Sequence, residues 1–263
     1  MQTIAVLGAG ITGITTAAKL HEQGFKVTVI DRQRYAAMET SFANGGQLSA
    51  SNAEVWNTWA TVIKGMKWML QSDAPLLVNP KPSWHKISWM LEFLGNIPNY
   101  KRNTIATTSM AIESRAAMQA LAQRWNVHYD HSECGILHFY ADQKEFDHAR
   151  KVTKLLAEGG LPREELTPDQ VKQKEPTLKS DVLGGFWTPS DSTGDIHKFT
   201  FGLAESIRKA GVTFQMETEL VDVKHHKHCV ELTDTTGQTH TFYGIVVCAG
   251  VGSRAIASKL GDR

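Results

Sequence analysis

Residues 3–13 read Thr-Ile-Ala-Val-Leu-Gly-Ala-Gly-Ile-Thr-Gly, and this stretch decides the fold of the chain. Residues 4–7 are continuously apolar, as expected of a parallel strand that is buried on both faces. The Gly-x-Gly-x-x-Gly motif that follows is typical of the strand-to-helix turn of a dinucleotide-binding unit. Its first glycine allows a tight turn, its second lets backbone approach a pyrophosphate, and its third lets helix and strand pack closely. The phosphate charge then lies at a helix N-terminus, where unpaired N–H groups and the dipole favour an anion.

The residues after this motif complete a βαβ unit. The apolar spacing predicts a helix from about residue 12 to residue 23, ended by Gly24, and then a second strand over residues 25–30. That strand ends at Asp31, eighteen residues after Gly13, where a carboxylate can accept hydrogen bonds from ribose hydroxyls and would repel a 2′-phosphate. The unit therefore predicts a dinucleotide other than NADP, and it leaves the choice between FAD and NAD open.

A polar, glycine-bearing segment follows at residues 39–47, Glu-Thr-Ser-Phe-Ala-Asn-Gly-Gly-Gln. It has neither helical nor strand periodicity, which favours a loop that faces a ligand. A surface turn is the alternative interpretation, because Asn and Gly are ordinary turn residues.

With this segment included, the chain resembles the D-amino acid dehydrogenase branch of the glycine oxidase and D-amino acid oxidase-like FAD superfamily. The resemblance covers the whole chain, and residues 39–47 are its most specific part. The other matching stretches are Val-Leu-Gly-Ala-Gly-Ile-Thr-Gly at 6–13, Val-Ile-Asp-Arg-Gln at 29–33, Ile-Lys-Gly-Met-Lys-Trp-Met at 63–69, Ser-Thr-Gly-Asp at 192–195 and Val-Val-Cys-Ala-Gly at 246–250. The resemblance moves the choice of cofactor to FAD.

The resemblance also implies which residues contact FAD. Residues 3–17 would line the ADP moiety, and Asp31 and Arg32 would flank the adenosine ribose. The residues that would approach the pyrophosphate and flavin are Ser41, Asn44, Gly45 and Gly46. A strand over residues 218–223 would offer the backbone of Leu220 to the adenine, although Leu stands where Val is more usual. The expected cofactor-binding residues are Val6, Leu7, Gly8, Ala9, Gly10, Ile11, Thr12, Gly13, Asp31, Arg32, Ser41, Asn44, Gly45, Gly46, Leu220, Ala249 and Gly250.

We expect an α/β fold, α+β overall, in which an FAD-binding Rossmann-like βαβ domain is interleaved with a substrate domain of mixed sheet and helices. The FAD-binding domain is predicted at 1–53 and 190–263, incomplete at its C-terminal end, because the apolar residues 245–249 have the pattern of a central parallel strand that rejoins the sheet. A tryptophan-rich segment is predicted at 54–100 and a partial substrate domain at 101–189, with helix starts marked by Asp142 and Thr167.

Five of the seven tryptophans lie in the tryptophan-rich segment, interleaved with lysines. Aromatic rings beside lysines suit a membrane interface or a docking surface. Core packing is the alternative, because large aromatic side chains are mostly buried. The resemblance favours the first interpretation, since these dehydrogenases are similar to peripheral inner-membrane enzymes that pass electrons to the respiratory chain. The residues are Trp56, Trp59, Trp68, Trp84 and Trp89 with Lys64, Lys67, Lys81 and Lys86.

The overall composition narrows the class of protein. The 263 residues are 41% hydrophobic with a formal net charge of +1, which argues against a nucleic acid partner. The three neighbouring histidines at 225, 226 and 228 have no partnering cysteine or carboxylate at ligand spacing, so no metal is predicted. Three scattered cysteines and a start without signal-peptide features predict a cytoplasmic location. No apolar run reaches the roughly 20 residues of a membrane span, so membrane contact is expected to be peripheral.

The resemblance implies oxidative deamination of D-amino acids such as D-alanine to an oxo acid and ammonia. Hydride would pass from Cα to flavin N5, and electrons would then pass to a respiratory acceptor, a quinone or similar. A glycine- or sarcosine-type oxidase that uses oxygen is an alternative. Members of this family are longer, and the arginine expected to pair with the substrate carboxylate would lie beyond residue 263. A truncated, non-catalytic FAD-binding fragment is therefore the other alternative, and no catalytic residue is predicted.

Overall fold

The computed structural model describes residues 2–69, 73, 79 and 81–261. Residues 70–72, 74–78 and 80 of the predicted tryptophan-rich segment lie outside the described residues, as do residues 262–263 of the predicted FAD-binding domain. The helices are α1 (Ile11–Glu22), α2 (Trp59–Trp68), α3 (Trp84–Gly95), α4 (Tyr100–Arg124), α5 (Gln143–Glu158), α6 (Pro168–Lys174), α7 (Ile196–Lys209) and α8 (Ser253–Lys259). The strands are β1 (Thr3–Leu7), β2 (Lys26–Ile30), β3 (Gln47–Leu48), β4 (Ile136–Tyr140), β5 (Glu164–Leu166), β6 (Gly184–Thr188), β7 (Ser192–Thr193), β8 (Thr213–Gln215), β9 (Leu220–His225), β10 (Val230–Asp234), β11 (Thr239–Phe242) and β12 (Gly244–Val247).

The chain forms two compact units whose limits differ from the predicted domains. Unit 1 comprises residues 1–47, 117–132 and 193–263, and unit 2 comprises residues 48–116 and 133–192. The predicted limits at 53, 100 and 189 therefore do not mark the units. Residues 117–132, expected in the substrate domain, belong to unit 1, because the Trp125 indole donates to Glu22 of α1 at 3.0 Å and Ser206 of α7 donates to the Trp125 carbonyl at 3.2 Å.

A parallel sheet forms the centre of unit 1, with the strand order β12-β1-β2-β8. Val6 in β1 lies opposite Val246 in β12 and Val29 in β2. Helices α1 and α7 pack against each other, and Ile14 of α1 and Leu203 of α7 are fully buried. The predicted βαβ unit is confirmed, and so is the return of residues 244–247 to the sheet.

A second, antiparallel sheet with the order β11-β10-β9 completes the core of unit 1. Ala5, Leu7 and Ile30 from the parallel sheet cluster with Val223 and Leu232 from the antiparallel one. Burial of each large aliphatic side chain contributes about 1.5–3 kcal/mol, so this cluster stabilises one face of the first strand.

Unit 2 contains an antiparallel sheet with the order β4-β6-β5. Helix α5 begins at the predicted position, because the Asp142 carboxylate accepts the N–H groups of Lys144 and Glu145 at 2.9 and 3.0 Å. Helix α6 begins with the predicted capping box of Thr167 and Gln170. Together with the parallel sheet of unit 1, these elements confirm the expected mixed α/β fold.

Helices α2 and α3 of unit 2 contain no buried residue. Trp56 is 78% exposed and Trp84 is 77% exposed, so core packing is the wrong interpretation for them. We call the exposed apolar side chains of residues 56–69 and 84–94 the tryptophan surface; they are Trp56, Trp59, Ile63, Met66, Met69, Trp84, Ile87, Trp89, Met90, Leu91 and Leu94. None of the helices in the described part of the chain is both long and apolar enough to cross a bilayer.

Candidate functional site

Two glycines of the loop after β1 are required by packing within unit 1. Gly8 has φ +110°, its N–H donates to the Ile30 carbonyl at 2.8 Å, and a Cβ there would lie 2.4 Å from the Cys248 carbonyl oxygen. A Cβ on Gly13 would lie only 1.8 Å from the Gly8 carbonyl oxygen. These contacts make the turn tight and bring α1 close to β1, as the motif predicts.

Gly10 has no such requirement. Its φ of −75° and ψ of 180° are open to any residue, and a Cβ there would meet only the Ser41 hydroxyl, at 3.4 Å. Packing within the described residues therefore does not explain why this position lacks a side chain. The free space lies at the N-terminus of α1, where the first-turn N–H groups have no partner inside the helix. A pyrophosphate fits both the space and the donors.

Asp31 is held against this loop at the end of β2. Its Oδ2 accepts the Ala9 N–H at 2.6 Å, and its Oδ1 accepts the Gln33 N–H at 2.8 Å. A carboxylate has about four acceptor positions, so two remain for ribose hydroxyls. The structure thus places Asp31 beside the glycine loop, in the position that the sequence predicted.

Arg32 is turned toward the start of the 39–47 loop. Its Nη2 donates to Glu39 Oε1 at 2.9 Å, and the Gln33 amide donates to the same oxygen at 2.6 Å. The hydrogen bond from Arg32 holds the pKa of Glu39 below its usual value. Both side chains of this ion pair are exposed, so its effect on stability is small.

The 39–47 loop is attached to the N-terminus of α1 and to Gly194, just before α7. Ser41, which is buried, accepts the Ile11 N–H at 3.0 Å. Asn44 donates to the Ser41 carbonyl at 3.3 Å and accepts the Gly46 N–H at 2.9 Å, and the Gly46 carbonyl accepts the Gly194 N–H at 2.8 Å. The loop is therefore fixed by its own hydrogen bonds and by those to Ile11 and Gly194, and its ligand-facing role stays a prediction.

Gly45 resembles Gly10, because nothing lies within 4 Å of the Cβ that a side chain would place there. Gly46 differs, since its φ is +60° and a Cβ would lie 2.9 Å from the Gly194 carbonyl oxygen. Within the loop, Gly45 thus leaves free space and Gly46 permits a close approach of two chain segments.

The last predicted residues lie after β12 and at the start of β9. The Cys248 N–H donates to the Leu7 carbonyl at 2.8 Å, which places Ala249 and Gly250 next to the glycine loop. The side chain of Leu220 packs against the core cluster of unit 1, and its backbone contact with adenine stays a prediction. Residues 6–13, 31, 41 and 249–250 are thus brought together at the carboxyl edge of the parallel sheet, whereas Arg32 faces Glu39 and Leu220 faces the core.

Two features of this region are not visible in the motifs. The backbone of Cys248 fixes Gly8 from the far end of the chain, and the apolar run that ends at Gly250 is the signal that could have identified it. His197 lies beside Phe42 of the 39–47 loop, with 4.9 Å between the ring centres, and no sequence pattern indicates that contact.

No group of three His, Cys, Asp or Glu side chains that could hold a metal ion is found among the described residues. The histidines at 225, 226 and 228 are exposed at the end of β9 and in the turn after it.

The family model of the FAD dependent oxidoreductases, DAO, matches residues 3–263. D-amino acid dehydrogenase 3 of Mesorhizobium japonicum is 54% identical over an alignment of 265 residues that covers 100% of this chain and 64% of that protein. The D-amino acid dehydrogenase of Dechloromonas aromatica is 42% identical over 217 residues, which are 81% of this chain and 52% of that protein. This chain therefore spans less than two thirds of the length of these curated relatives.

A solved structure shows the same fold. Glycine oxidase from Geobacillus kaustophilus superposes with a TM-score of 0.70 at 18% identity, over 99% of this chain and 59% of that one. Because the family model covers nearly every residue, the expected resemblance is confirmed: the chain belongs to the DAO family of FAD-dependent oxidoreductases, and FAD is the cofactor of that family.

Proposed function

We propose that unit 1 binds FAD and that the chain serves an enzyme that oxidises D-amino acids, such as D-alanine, to oxo acid and ammonia. The observation that carries the proposal is the free space at Gly10, which lies at the N-terminus of α1 and which packing within the described residues does not require. The names of the two relatives support the D-amino acid as substrate. The activity of the whole enzyme is part of the proposal, because this chain spans only part of those relatives.

The residues of unit 1 divide the binding of FAD among themselves. The first-turn N–H groups of α1, apart from that of Ile11, which donates to Ser41, would donate to the pyrophosphate through the space at Gly10. The two remaining acceptor positions of Asp31 would bind the adenosine ribose. Gly45 would let backbone approach the flavin end. A 2′-phosphate would be repelled by Asp31, which excludes NADP as the dinucleotide.

The bound flavin supplies the acceptor for hydride that leaves the substrate Cα. The protein orients the substrate and keeps water from the reacting atoms. Hydride leaves readily only from the neutral amine, so turnover should rise with pH as the bound amine loses its proton. A respiratory acceptor, a quinone or similar, is the proposed destination of the electrons.

Purification followed by two measurements tests this proposal. A yellow protein with bound FAD is expected, together with reduction of an artificial dye by D-alanine and much less by L-alanine. A colourless protein that FAD does not stabilise would refute cofactor binding. Peroxide production with glycine or sarcosine would instead identify the oxygen-using oxidase, and bound FAD without turnover by any acceptor would identify a non-catalytic binding fragment.

The location that we propose is peripheral, at the cytoplasmic face of the inner membrane, with the tryptophan surface as the contact. Tryptophan favours the lipid headgroup region because its ring is apolar and its N–H can remain hydrated. Helix α2 carries Lys64 and Lys67 and no acidic residue, so its charge is complementary to anionic lipid.

Sedimentation with vesicles tests this contact. The chain should bind vesicles that contain phosphatidylglycerol more tightly than vesicles of phosphatidylcholine alone, and Trp56→Ser with Trp84→Ser should abolish the binding. Tyr243→Ser is the matched control, since Tyr243 is an exposed aromatic residue of unit 1. Self-association that the tryptophan substitutions abolish, without vesicle binding, would identify a second copy as the partner and refute the lipid contact.

A further inference from the structure

Unit 2 contains a fully buried carboxylate that the proposed function does not use. Asp191 is 0% exposed, and its two oxygens accept four hydrogen bonds. Its Oδ1 accepts from the Ala50 N–H at 3.0 Å and from Arg115 Nη1 at 2.6 Å. Its Oδ2 accepts from the Ser49 hydroxyl at 2.9 Å and from the Ser51 N–H at 3.2 Å. The four acceptor positions of the carboxylate are therefore filled, and its charge is balanced by the guanidinium of Arg115, whose side chain is 12% exposed.

Three of the four donors lie in one short piece of chain, residues 49–51. This piece begins two positions after the 39–47 loop ends, at the point where the chain passes from unit 1 into unit 2. Asp191 itself stands two positions before residue 193, where the chain returns to unit 1. Asp191 thus connects residues 49–51, where the chain enters unit 2, to the residues just before 193, where it leaves unit 2.

The same two segments are also joined within unit 1. The Gly194 N–H donates to the Gly46 carbonyl at 2.8 Å, and a Cβ on Gly46 would lie 2.9 Å from the Gly194 carbonyl oxygen. Near its start, the 39–47 loop is fixed by the hydrogen bond between Ser41 and the N-terminus of α1. Near its end, it is fixed at Gly46 by Gly194, and residues 49–51, which follow the loop, are held by Asp191.

We propose that Asp191 is a positioning residue for the cofactor: by holding residues 49–51 it fixes the end of the 39–47 loop and so sets the placement of Asn44 and Gly45 at the flavin end of FAD. The inference rests on the proposed binding of FAD by unit 1. It assigns to the ion pair of Arg115 and the buried Asp191 a role in the state of the flavin, beyond its contribution to the stability of unit 2.

Asp191→Asn is the sharpest substitution, because asparagine keeps the shape and replaces one acceptor by an NH₂ donor. In either orientation of the amide, its NH₂ group would face groups that now donate to Asp191. These are the Ala50 N–H and the Arg115 guanidinium in one orientation, and the Ser49 hydroxyl and the Ser51 N–H in the other. The 49–51 segment then loses its attachment at Ala50 in the first case, and those at Ser49 and Ser51 in the second. In both cases the guanidinium loses its counter-charge.

The test compares FAD binding by the unmodified 263-residue chain with that by three variants. We expect Asp191→Asn to raise the Kd for FAD at least about tenfold and to shift the visible absorption of the bound flavin. Ser49→Ala removes a single donor and should raise the Kd about threefold, so it keeps the test decisive if Asp191→Asn does not fold. Val171→Ala is the control, since Val171 is fully buried in another cluster of unit 2 and does not contact residues 49–51.

The outcomes separate the two proposals. An unchanged Kd and flavin spectrum in Ser49→Ala and in any Asp191→Asn that folds would overturn the positioning role. An equal rise in Kd for Val171→Ala at a similar loss of Tm would also overturn it, because general loss of stability would then explain the effect. Failure of the unmodified chain to bind FAD would instead refute the proposed function itself.

Discussion

The glycine loop of unit 1 and the tryptophan surface of unit 2 are the two most conspicuous stretches of the sequence, and their side-chain environments are opposite. In the loop, Gly8 and Gly13 are accounted for by neighbouring backbone atoms, and only Gly10 has free space. On the tryptophan surface, Trp56 and Trp84 face solvent almost completely. Features that packing within the protein does not explain indicate a binding partner. At Gly10 the feature is a small space that suits a phosphate, and in unit 2 it is the whole tryptophan surface.

Gly13→Ala should have the largest effect, because its Cβ would lie 1.8 Å from the Gly8 carbonyl oxygen. Helix α1 would have to move away from β1, and we expect a loss of more than about 3 kcal/mol of unfolding free energy. Thermal and urea unfolding measure it. Gly24→Ala is the control, because nothing lies near its Cβ and only its φ of +86° is unfavourable, at about 1–2 kcal/mol. Equal losses for the two variants would contradict the packing role of Gly13.

Gly10→Ala sharpens the comparison within the loop. Its backbone angles suit alanine, so the unfolding free energy without FAD should stay the same or rise by up to about 1 kcal/mol. The methyl group would occupy the space for the pyrophosphate, and the Kd for FAD should rise at least about tenfold, which is about 1.4 kcal/mol. Titration followed by flavin fluorescence measures it. Gly95→Ala, at an open position at the end of α3, should bind FAD normally; tight binding by Gly10→Ala would remove the main support for the site.

The thermal stability of unit 2 should depend on pH through His138, which lies in its interior and not on the tryptophan surface. Burial, together with the like charge of Arg163, holds the pKa of His138 below its ordinary value of about 6.5, and Asp191 opposes that shift. The folded state therefore favours the neutral ring, which lies 3.0 Å from the Ser51 hydroxyl. Its stabilising contribution is complete above about pH 6.5 and is lost as the pH falls through the lowered pKa. Tm measured from pH 7.5 to pH 5 should fall, and the fall should be smaller in His138→Gln.

Trp84→Ser should have the smallest effect on stability. The side chain is 77% exposed, so the unfolding free energy should change by less than about 0.5 kcal/mol. The same measurement on Phe186→Leu, inside unit 2, should show a loss of about 1 kcal/mol or more. A loss of similar size for Trp84→Ser would mean that the tryptophan surface is packed, and the contrast with the glycine loop would fail.

The parts of this molecule that sequence predicts well are those whose causes are local. Spacing within a few tens of residues is enough to predict the βαβ unit, the N-caps at Asp142 and Thr167, and the position of Asp31. Burial of the tryptophans was not predictable, because residue type gives only an average preference and the exposure of α2 depends on what else packs there.

Long-range contacts explain most of the rest. The end of α4 belongs to unit 1 because Trp125 meets Glu22, 103 positions away, and Asp191 meets Ser49 across 142 positions. Pairings over such distances leave no periodic signal in a single sequence. The candidate site was therefore predicted where its residues lie in consecutive motifs, and the contacts of the buried Asp191 within unit 2 were missed.

The contact between Gly8 and Cys248 has a consequence for the order of events during synthesis. The glycine loop emerges from the ribosome early, but the strand beside β1 and the carbonyl that encloses Gly8 belong to residues 244–248. A nascent chain cannot complete the loop until nearly the whole of unit 1 has been translated. Loading of the cofactor is thus a late step, and ribosome-bound chains shorter than about 250 residues should not retain it.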